Sequence, residues 1–183
     1  MKLLPLLLFT PLLLLSQSLQ GAEGLTAHAS VTVSDGTTYT VMTFYQDQQK
    51  ALFSREYPDR LVIQEIAGAD TWQSDGVSKQ AAGPQVASFV LGHQFHAQML
   101  WPEQFYSVVD DTPELIDQFG NTVSRQMDTE HQRLQKTITQ IKDGPRIEFT
   151  YEDWRKVGAW QLPFVILIDD GDRQFRYAFE KVQ

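Results

Sequence analysis

Hydrophobic and polar residues alternate with a period of two from Leu25 onwards, which is typical of a β-strand with one buried face. In the first such segment Ala27, Ala29, Val31 and Val33 alternate with His28, Ser30 and Thr32. The tripeptide Ser34-Asp35-Gly36 that follows has the residues of a hairpin turn. The pattern therefore predicts a strand at the start of an antiparallel sheet.

The same alternation recurs along most of the chain. It predicts further strands at 37–46, 50–57, 60–66, 121–128, 133–141, 146–154, 162–168 and 174–182, with a short strand or loop around 71–73. Segment 133–141 also fits helical spacing, but its β-branched Thr137, Ile138 and Thr139 favour a strand. Segments 105–109 and 112–119 are less regular, and we interpret them as a strand and as a helical turn or loop.

One segment departs from the β pattern. Residues 84–101 contain no internal proline, with Pro84 suited to the first turn of a helix and Pro102 suited to follow its end. We predict one helix here, and its apolar residues fall on two sides, with Val86, Phe89 and Val90 on one and Leu91, Phe95 and Met99 on the other.

These elements predict an α+β, mostly β fold. Strands 60–66 and 162–168 are apolar on both faces, whereas an antiparallel sheet usually leaves one face in water. A strongly curved antiparallel sheet, or half-barrel, with the mid-chain helix across its concave face would cover both. Any space left beneath the helix would be an apolar cavity.

The N-terminus resembles a secretory signal peptide. Met1 and Lys2 precede an aliphatic run at 3–15, and a stretch of small and polar residues at 16–24 follows. The run is interrupted by Pro5 and Pro11 and is shorter than the roughly 20 residues of a membrane-spanning helix. We predict a cleaved signal at 1–22, with the mature start near 23–25, and a single domain at 23–183.

Composition limits the partners of the mature protein. Loss of Lys2 changes the net charge from −8 to −9, and no window is rich in Lys and Arg, so nucleic acid is not an expected partner. With no Cys, the chain has no disulfide and no cysteine for a lipid anchor. We expect no stable membrane insertion after signal cleavage.

Candidate catalytic and metal-binding motifs are weak. His93 and His96 have helical spacing but lack further local ligands, so hydrogen-bonded structural histidines are the preferred interpretation over a metal pair. Asp169, Asp170 and Asp172 surround a hairpin glycine and do not have EF-hand spacing. No nucleophile motif is present, so we predict neither an enzyme, nor a metal site, nor a cofactor.

Aromatic side chains, 11% of all residues, are the main candidates for a binding site. Each one alone is readily explained as part of a hydrophobic core. Together with a methionine, which repacks easily, they would also suit an apolar ligand. The candidate ligand-binding residues are Tyr45, Phe53, Trp72, Phe89, Phe95, Met99, Trp101 and Phe105.

The C-terminal segment 150–182 resembles the closing strands of LolA/LolB-like proteins, which are related to periplasmic carriers of outer-membrane lipoproteins. The resemblance rests on Tyr151 and Trp154, Val157-Gly158, Leu162-Pro163, Asp170-Gly171 and the alternating Phe175, Tyr177 and Phe179. It implies a periplasmic protein with a half-barrel of antiparallel strands, helices as a lid and acyl chains in the hollow.

We therefore expect an exported protein that binds or carries a hydrophobic ligand, either a lipid or the acyl chain of a lipidated protein, beneath a movable helical lid. The alternative is a non-enzymatic protein-interaction module of envelope assembly. In that case its own side chains would fill the core, and a partner strand or helix would bind the concave face or a sheet edge.

Overall fold

The computed structural model describes residues 24–109 and 114–183. The predicted signal peptide at 1–22 lies outside the described residues, as do the first residues of segment 112–119. The described residues contain two α-helices, a short 3₁₀ helix at Pro102–Gln104, and one sheet.

In residues 24–109 and 114–183, thirteen strands form a single, fully antiparallel sheet with the order β6-β5-β4-β3-β2-β1-β13-β12-β11-β10-β9-β8-β7. The strands are β1 Leu25–Val33, β2 Thr38–Asp47, β3 Lys50–Glu56, β4 Leu61–Ala67, β5 Asp70–Ser74, β6 Lys79–Ala81, β7 Tyr106–Val108, β8 Leu115–Asp117, β9 Thr122–Asp128, β10 Arg133–Gln140, β11 Arg146–Val157, β12 Trp160–Asp169 and β13 Gln174–Val182.

The two ends of the described chain meet in the middle of this sheet. Strand β1 pairs with β13, and the backbone N–H of Thr26 donates to the carbonyl of Gln183 at 2.8 Å, with the reverse bond at 3.0 Å. The sheet is thus two consecutive meanders, β1–β6 and β7–β13, joined along β1 and β13. Because β6 and β7 stand at opposite ends of the order, the sheet is open.

The alternating apolar residues of the central strands form the concave face of the sheet, as predicted. Ala29 lies opposite Val41 on β2 and Phe179 on β13, and Val31 lies opposite Tyr39 and Tyr177. All of these inward side chains are buried, whereas the intervening residues of β1 are exposed. The predicted mostly β fold, with a curved antiparallel sheet covered by helical structure, is confirmed.

The prediction of one continuous helix at 84–101 is wrong. The structure has two helices, α1 Pro84–Gly92 and α2 Phe95–Leu100, separated by His93 and Gln94. The side-chain amide of Gln94 donates to the carbonyl of Val90 at 3.2 Å and to the carbonyl of Leu52 on β3 at 3.0 Å. It therefore occupies the carbonyl to which the backbone N–H of Gln94 would bind in a continuous helix.

Segment 112–119 also differs from its prediction as a helical turn or loop. Its described part contains β8, which pairs with β7 and β9. The predicted strand at 105–109 is present as β7, and β6 was not predicted at all. Both β6 and β8 have only three residues, too few for alternation to be recognised in the sequence.

Candidate functional site

A cavity of about 630 Å³ lies between the concave face of the sheet and the helices. Helix α1 packs against β3, β4 and β5, whereas Phe95 of α2 contacts Phe149 on β11 and Tyr177 on β13. Side chains from both halves of the sheet line the same space, which requires a strongly curved sheet. The cavity extends to the end of the sheet where the β1–β2, β3–β4 and β12–β13 turns lie.

Most of the wall is apolar or aromatic. From the sheet, seven strands contribute apolar or aromatic side chains, while Phe89 and Leu91 of α1, and His93 directly after it, close the opposite side. The apolar and aromatic lining from these strands is Val33, Tyr39, Tyr106, Val123, Ile147, Phe149, Ile168, Phe175 and Tyr177.

Polar and charged side chains surround the mouth. Asp35, Arg60, Asp117, Asp170 and Arg173 all come from turns or strand ends. The carboxylates are already engaged: those of Asp35, Asp117 and Asp170 each accept backbone N–H groups of their own turns. Asp170 also forms an ion pair with Arg173 at 3.5 Å. The mouth is therefore wet, whereas the interior is mainly apolar.

His93, Tyr39 and Tyr177 are neutral near pH 7 inside the cavity. Burial, assisted by the positive charge of Arg55, lowers the pKa of His93 to about 4 against the opposing effect of its hydrogen bond to Phe89. Burial raises the pKa of Tyr39 and raises that of Tyr177 well above its usual range. These rings therefore contribute apolar surface and neutral hydrogen-bonding groups, with no charge.

Side-chain hydrogen bonds of residues in and between the two helices hold this segment in place. His96, 3% exposed, donates from Nε2 to the carbonyl of Pro163 on β12 at 2.8 Å. Gln94 binds Leu52 on β3, as described above, and the hydroxyl of Tyr106 donates to Gln98 at 2.7 Å. His93 binds the carbonyl of Phe89 through Nδ1 at 2.8 Å. Both histidines thus have the hydrogen bonds expected of structural residues.

The predicted binding residues occupy four places. Tyr45, Trp101 and Phe105 form one aromatic cluster, with ring centroids of Tyr45 6.0 Å from Trp101 and 5.0 Å from Phe105. Phe53, Phe89 and Phe95 surround the His93 ring at 4.1–5.6 Å.

The other two predicted residues lie elsewhere. Met99 lines a second cavity, and Trp72 lies on the opposite face of the sheet from Phe53, with Lys79 5.0 Å from its ring. Of the eight residues, only Phe89 and Phe105 line the 630 Å³ cavity.

Several cavity residues were missed by the sequence analysis, chiefly Tyr39, Arg55, Tyr57 and Phe149. A signal for them exists in the alternation itself. On β3 the inward series Ala51, Phe53, Arg55 continues to Tyr57, which places a charge and a phenol on the same face as the buried phenylalanine. Because the inward faces of these strands were interpreted as core, the cavity-lining residues near the strand ends were not predicted.

The second cavity, of about 490 Å³, lies at the opposite end of the sheet, near the β9–β10 and β11–β12 turns. Its lining is more polar, with Arg125, His131, Gln132, Arg133 and Gln161 beside Met99, Met127, Leu134 and Trp154. We therefore treat the larger, more apolar cavity as the candidate site for a hydrophobic ligand.

Neither a metal centre nor a membrane-spanning helix is found in the described part of the chain. Residues 24–109 and 114–183 contain no group of three or more His, Asp or Glu side chains arranged to hold a metal ion. Neither of the two helices has the length and apolar composition needed to cross a bilayer.

An open, curved antiparallel sheet with helices across its concave face and a cavity between them defines a LolA-like fold. The structure is similar to a LolA superfamily protein from Nitrosomonas europaea, with 13% identity, a TM-score of 0.57, and 87% of this chain aligned to 85% of that chain. It is also similar to a DUF1329 family protein from Desulfovibrio piger, with 9% identity, a TM-score of 0.55, and coverage of 90% and 86%.

No protein-family model matches the sequence, and comparison with curated proteins finds no significant match. The structural similarities nevertheless extend over most of the chain, well beyond segment 150–182. They confirm, for the fold, the resemblance to LolA-like proteins inferred from that segment.

Proposed function

We propose that this protein binds the acyl chain of a lipid, or of a lipidated protein, in the cavity between sheet and helices, and carries it within the cell envelope. The observation that supports this proposal most directly is the 630 Å³ cavity with its aromatic and aliphatic wall. This volume lies within the range of about 300–1,000 Å³ that is usual for small-molecule sites.

The energetics favour an apolar chain as the ligand. Each methylene group removed from water contributes about 0.8 kcal/mol, so a chain that is only partly enclosed still binds usefully. The lining offers few fixed polar groups in its interior, which suits a ligand recognised by its apolar surface. The LolA-like fold gives independent support, because the resemblance implies acyl chains in the hollow of the half-barrel.

The proposed place of action is the periplasm, and it rests on the signal-like N-terminal sequence at 1–22 and on the LolA-like resemblance. A non-enzymatic role is also part of the proposal. The described residues of the cavity provide no nucleophile paired with a base, and His93 and His96 are both bound to backbone carbonyls.

The test is native mass spectrometry of the mature protein purified without detergent, followed by lipid extraction. We expect a bound mass of several hundred daltons that extracts as lipid. An apo mass, together with no uptake of a fluorescent fatty acid, would contradict the proposal.

A matched pair of variants locates the ligand. Ile147 on β11 lines the cavity, whereas Ile138 on β10 points to the other face of the sheet, and both are half-buried. Ile147→Trp should fill the cavity and weaken fatty-acid uptake by at least tenfold, while Ile138→Trp should leave uptake unchanged. Equal effects of the two substitutions would place the ligand outside this cavity.

One observation favours the alternative, a protein-interaction module. Strand β7 ends the strand order of the described sheet and carries Val108, which is 75% exposed. A partner strand added at this edge would cover the Val108 side chain. In that case co-purification would return one partner protein, and the cavity would remain free of lipid.

A further inference from the structure

One cation projects into the apolar interior of the cavity. Arg55 follows Phe53 by two residues on β3, so its side chain lies on the concave face, beneath helix α1. The guanidinium carbon is 5.1 Å from the ring centroid of Phe89 and 5.7 Å from that of Phe53. Arg55 therefore sits between the sheet and the helix, against aromatic rings.

This guanidinium is not fully hydrogen-bonded. Its Nε is buried and has no hydrogen-bond partner, and it is the only such side-chain nitrogen or oxygen within the described part of the chain. One terminal nitrogen donates to Gln64 at 3.4 Å, at the long limit of a hydrogen bond. An arginine has five N–H donors, and buried polar groups are nearly always satisfied. The buried Nε donor of Arg55 thus lacks an acceptor.

No acidic side chain in the described part of the chain forms an ion pair with Arg55. Among residues 24–109 and 114–183, no carboxylate lies within 4.0 Å of the Arg55 guanidinium. The carboxylates at the mouth accept the N–H groups of their own turns. The groups that interact electrostatically with Arg55, namely Tyr39, His93 and Tyr177, are neutral near pH 7.

We propose that Arg55 binds the anionic headgroup, a carboxylate or a phosphate, of an amphiphilic ligand whose acyl chain occupies the rest of the cavity. This inference rests on the proposed function and adds the chemical class of the ligand. A guanidinium presents two parallel N–H groups that match the two oxygens of such a headgroup. The apolar surroundings strengthen this pairing, because water does not compete for the same donors.

The test compares dodecanoate, dodecyl phosphate and 1-dodecanol, which share one saturated chain and differ in the headgroup. Binding is measured by displacement of a neutral fluorescent probe, below the concentrations at which the free lipids aggregate. We expect the wild-type protein to bind at least one of the two anions about 10- to 100-fold more tightly than the alcohol, as for a charge-assisted hydrogen bond. The tighter anion identifies the headgroup as carboxylate or phosphate.

Arg55→Gln should abolish this preference and leave the affinity for 1-dodecanol unchanged within about twofold. The matched control is Arg176→Gln, because Arg176 is exposed on the opposite face of β13 and carries the same charge. This control should retain the wild-type preference. Arg55→Lys, which keeps the charge without the fork, should retain part of it.

The outcomes separate the two proposals. If wild-type protein binds all three compounds equally, or if Arg55→Gln weakens all three equally, Arg55 is not a headgroup site, although the cavity still binds acyl chains. If none of the three binds, the proposed function itself is overturned.

Discussion

Acid should destabilise this protein well above the pKa range of its carboxylates, because His96 is buried in a neutral state. His96 lies between α2 and β12, with the Phe179 ring edge-on at 4.5 Å and the Pro163 carbonyl as its acceptor. Burial lowers the pKa of His96 to about 4, an effect only partly opposed by the hydrogen bond to Pro163.

The size of the effect follows from the difference in pKa between folded and unfolded states. An unfolded histidine has a pKa of about 6.5, so the difference is about 2.5 units, or about 3 kcal/mol as an order of magnitude. The unfolded state binds the proton more tightly, so the free energy of unfolding rises with pH in this window. The contribution is fully present above about pH 6.5 and is lost as the pH falls to about 4.

Urea unfolding, followed by the fluorescence of the four tryptophans, measures this dependence between about pH 7 and pH 4. His96→Gln keeps a side-chain N–H for the Pro163 carbonyl but does not titrate. We expect this variant to lose about 3 kcal/mol less stability than the wild type across the window. The control His28→Gln changes an exposed histidine and should keep the wild-type slope.

His93, whose pKa is also about 4, contributes in the same direction and should leave a residual slope in the His96→Gln variant. The carboxylates with lowered pKa values, such as those of Asp35 and Asp128, lose their contributions only at lower pH. If His96→Gln and the wild type have the same pH dependence, the neutral buried state of His96 is refuted.

Three further predictions concern the packing of the sheet and the backbone strain of one turn. Replacing Ile166, which is 0% exposed, by Ala should lower the free energy of unfolding in urea by about 2–5 kcal/mol. A loss below about 1 kcal/mol would contradict the position of Ile166 in the core. Tyr151→Phe removes the hydroxyl that donates to Thr137 at 3.0 Å and should cost about 1–2 kcal/mol; an unchanged melting temperature would argue against this bond. Gly158→Ala should lower the free energy of unfolding by about 1 kcal/mol, because Gly158 has a φ of +58 while no atom obstructs an added Cβ. The control Gly92→Ala is also unobstructed but has no positive φ, so it should cost less stability. Equal melting temperatures of the two variants would refute strain at Gly158.

The central strands could be predicted because each has one largely apolar face. On β1 the inward residues from Ala27 to Val33 are all buried, so the period-two signal is unambiguous. Trp72 illustrates where the signal is incomplete. Neighbouring β4 is apolar on both faces, and alternation alone therefore does not define which face of β5 is concave. The register with β4 places Trp72 opposite Glu65, on the other face from Phe53.

The break between α1 and α2 could not be predicted from the sequence, because a tertiary contact accompanies it. Residues 84–101 contain no internal proline, and the local pattern supports one helix. The amide of Gln94 binds Leu52, which is 42 residues away in sequence, and also takes the carbonyl of Val90. With the chain redirected at this point, Phe89 faces Phe53 on β3 while Phe95 reaches Tyr177 on β13.

The effect of Arg55 on the stability of the empty protein distinguishes a ligand-binding residue from a structural core residue. A core residue stabilises the empty protein, whereas a buried donor without an acceptor costs about 1–3 kcal/mol, partly offset here by the Phe53 and Phe89 rings. A residue with this cost is explained if a ligand supplies the missing acceptor, since function commonly carries a cost in stability. The empty Arg55→Gln variant should therefore be as stable as the wild type, to within about 1 kcal/mol, while losing the preference for anions. A loss of several kcal/mol in stability would instead assign Arg55 to the structural core.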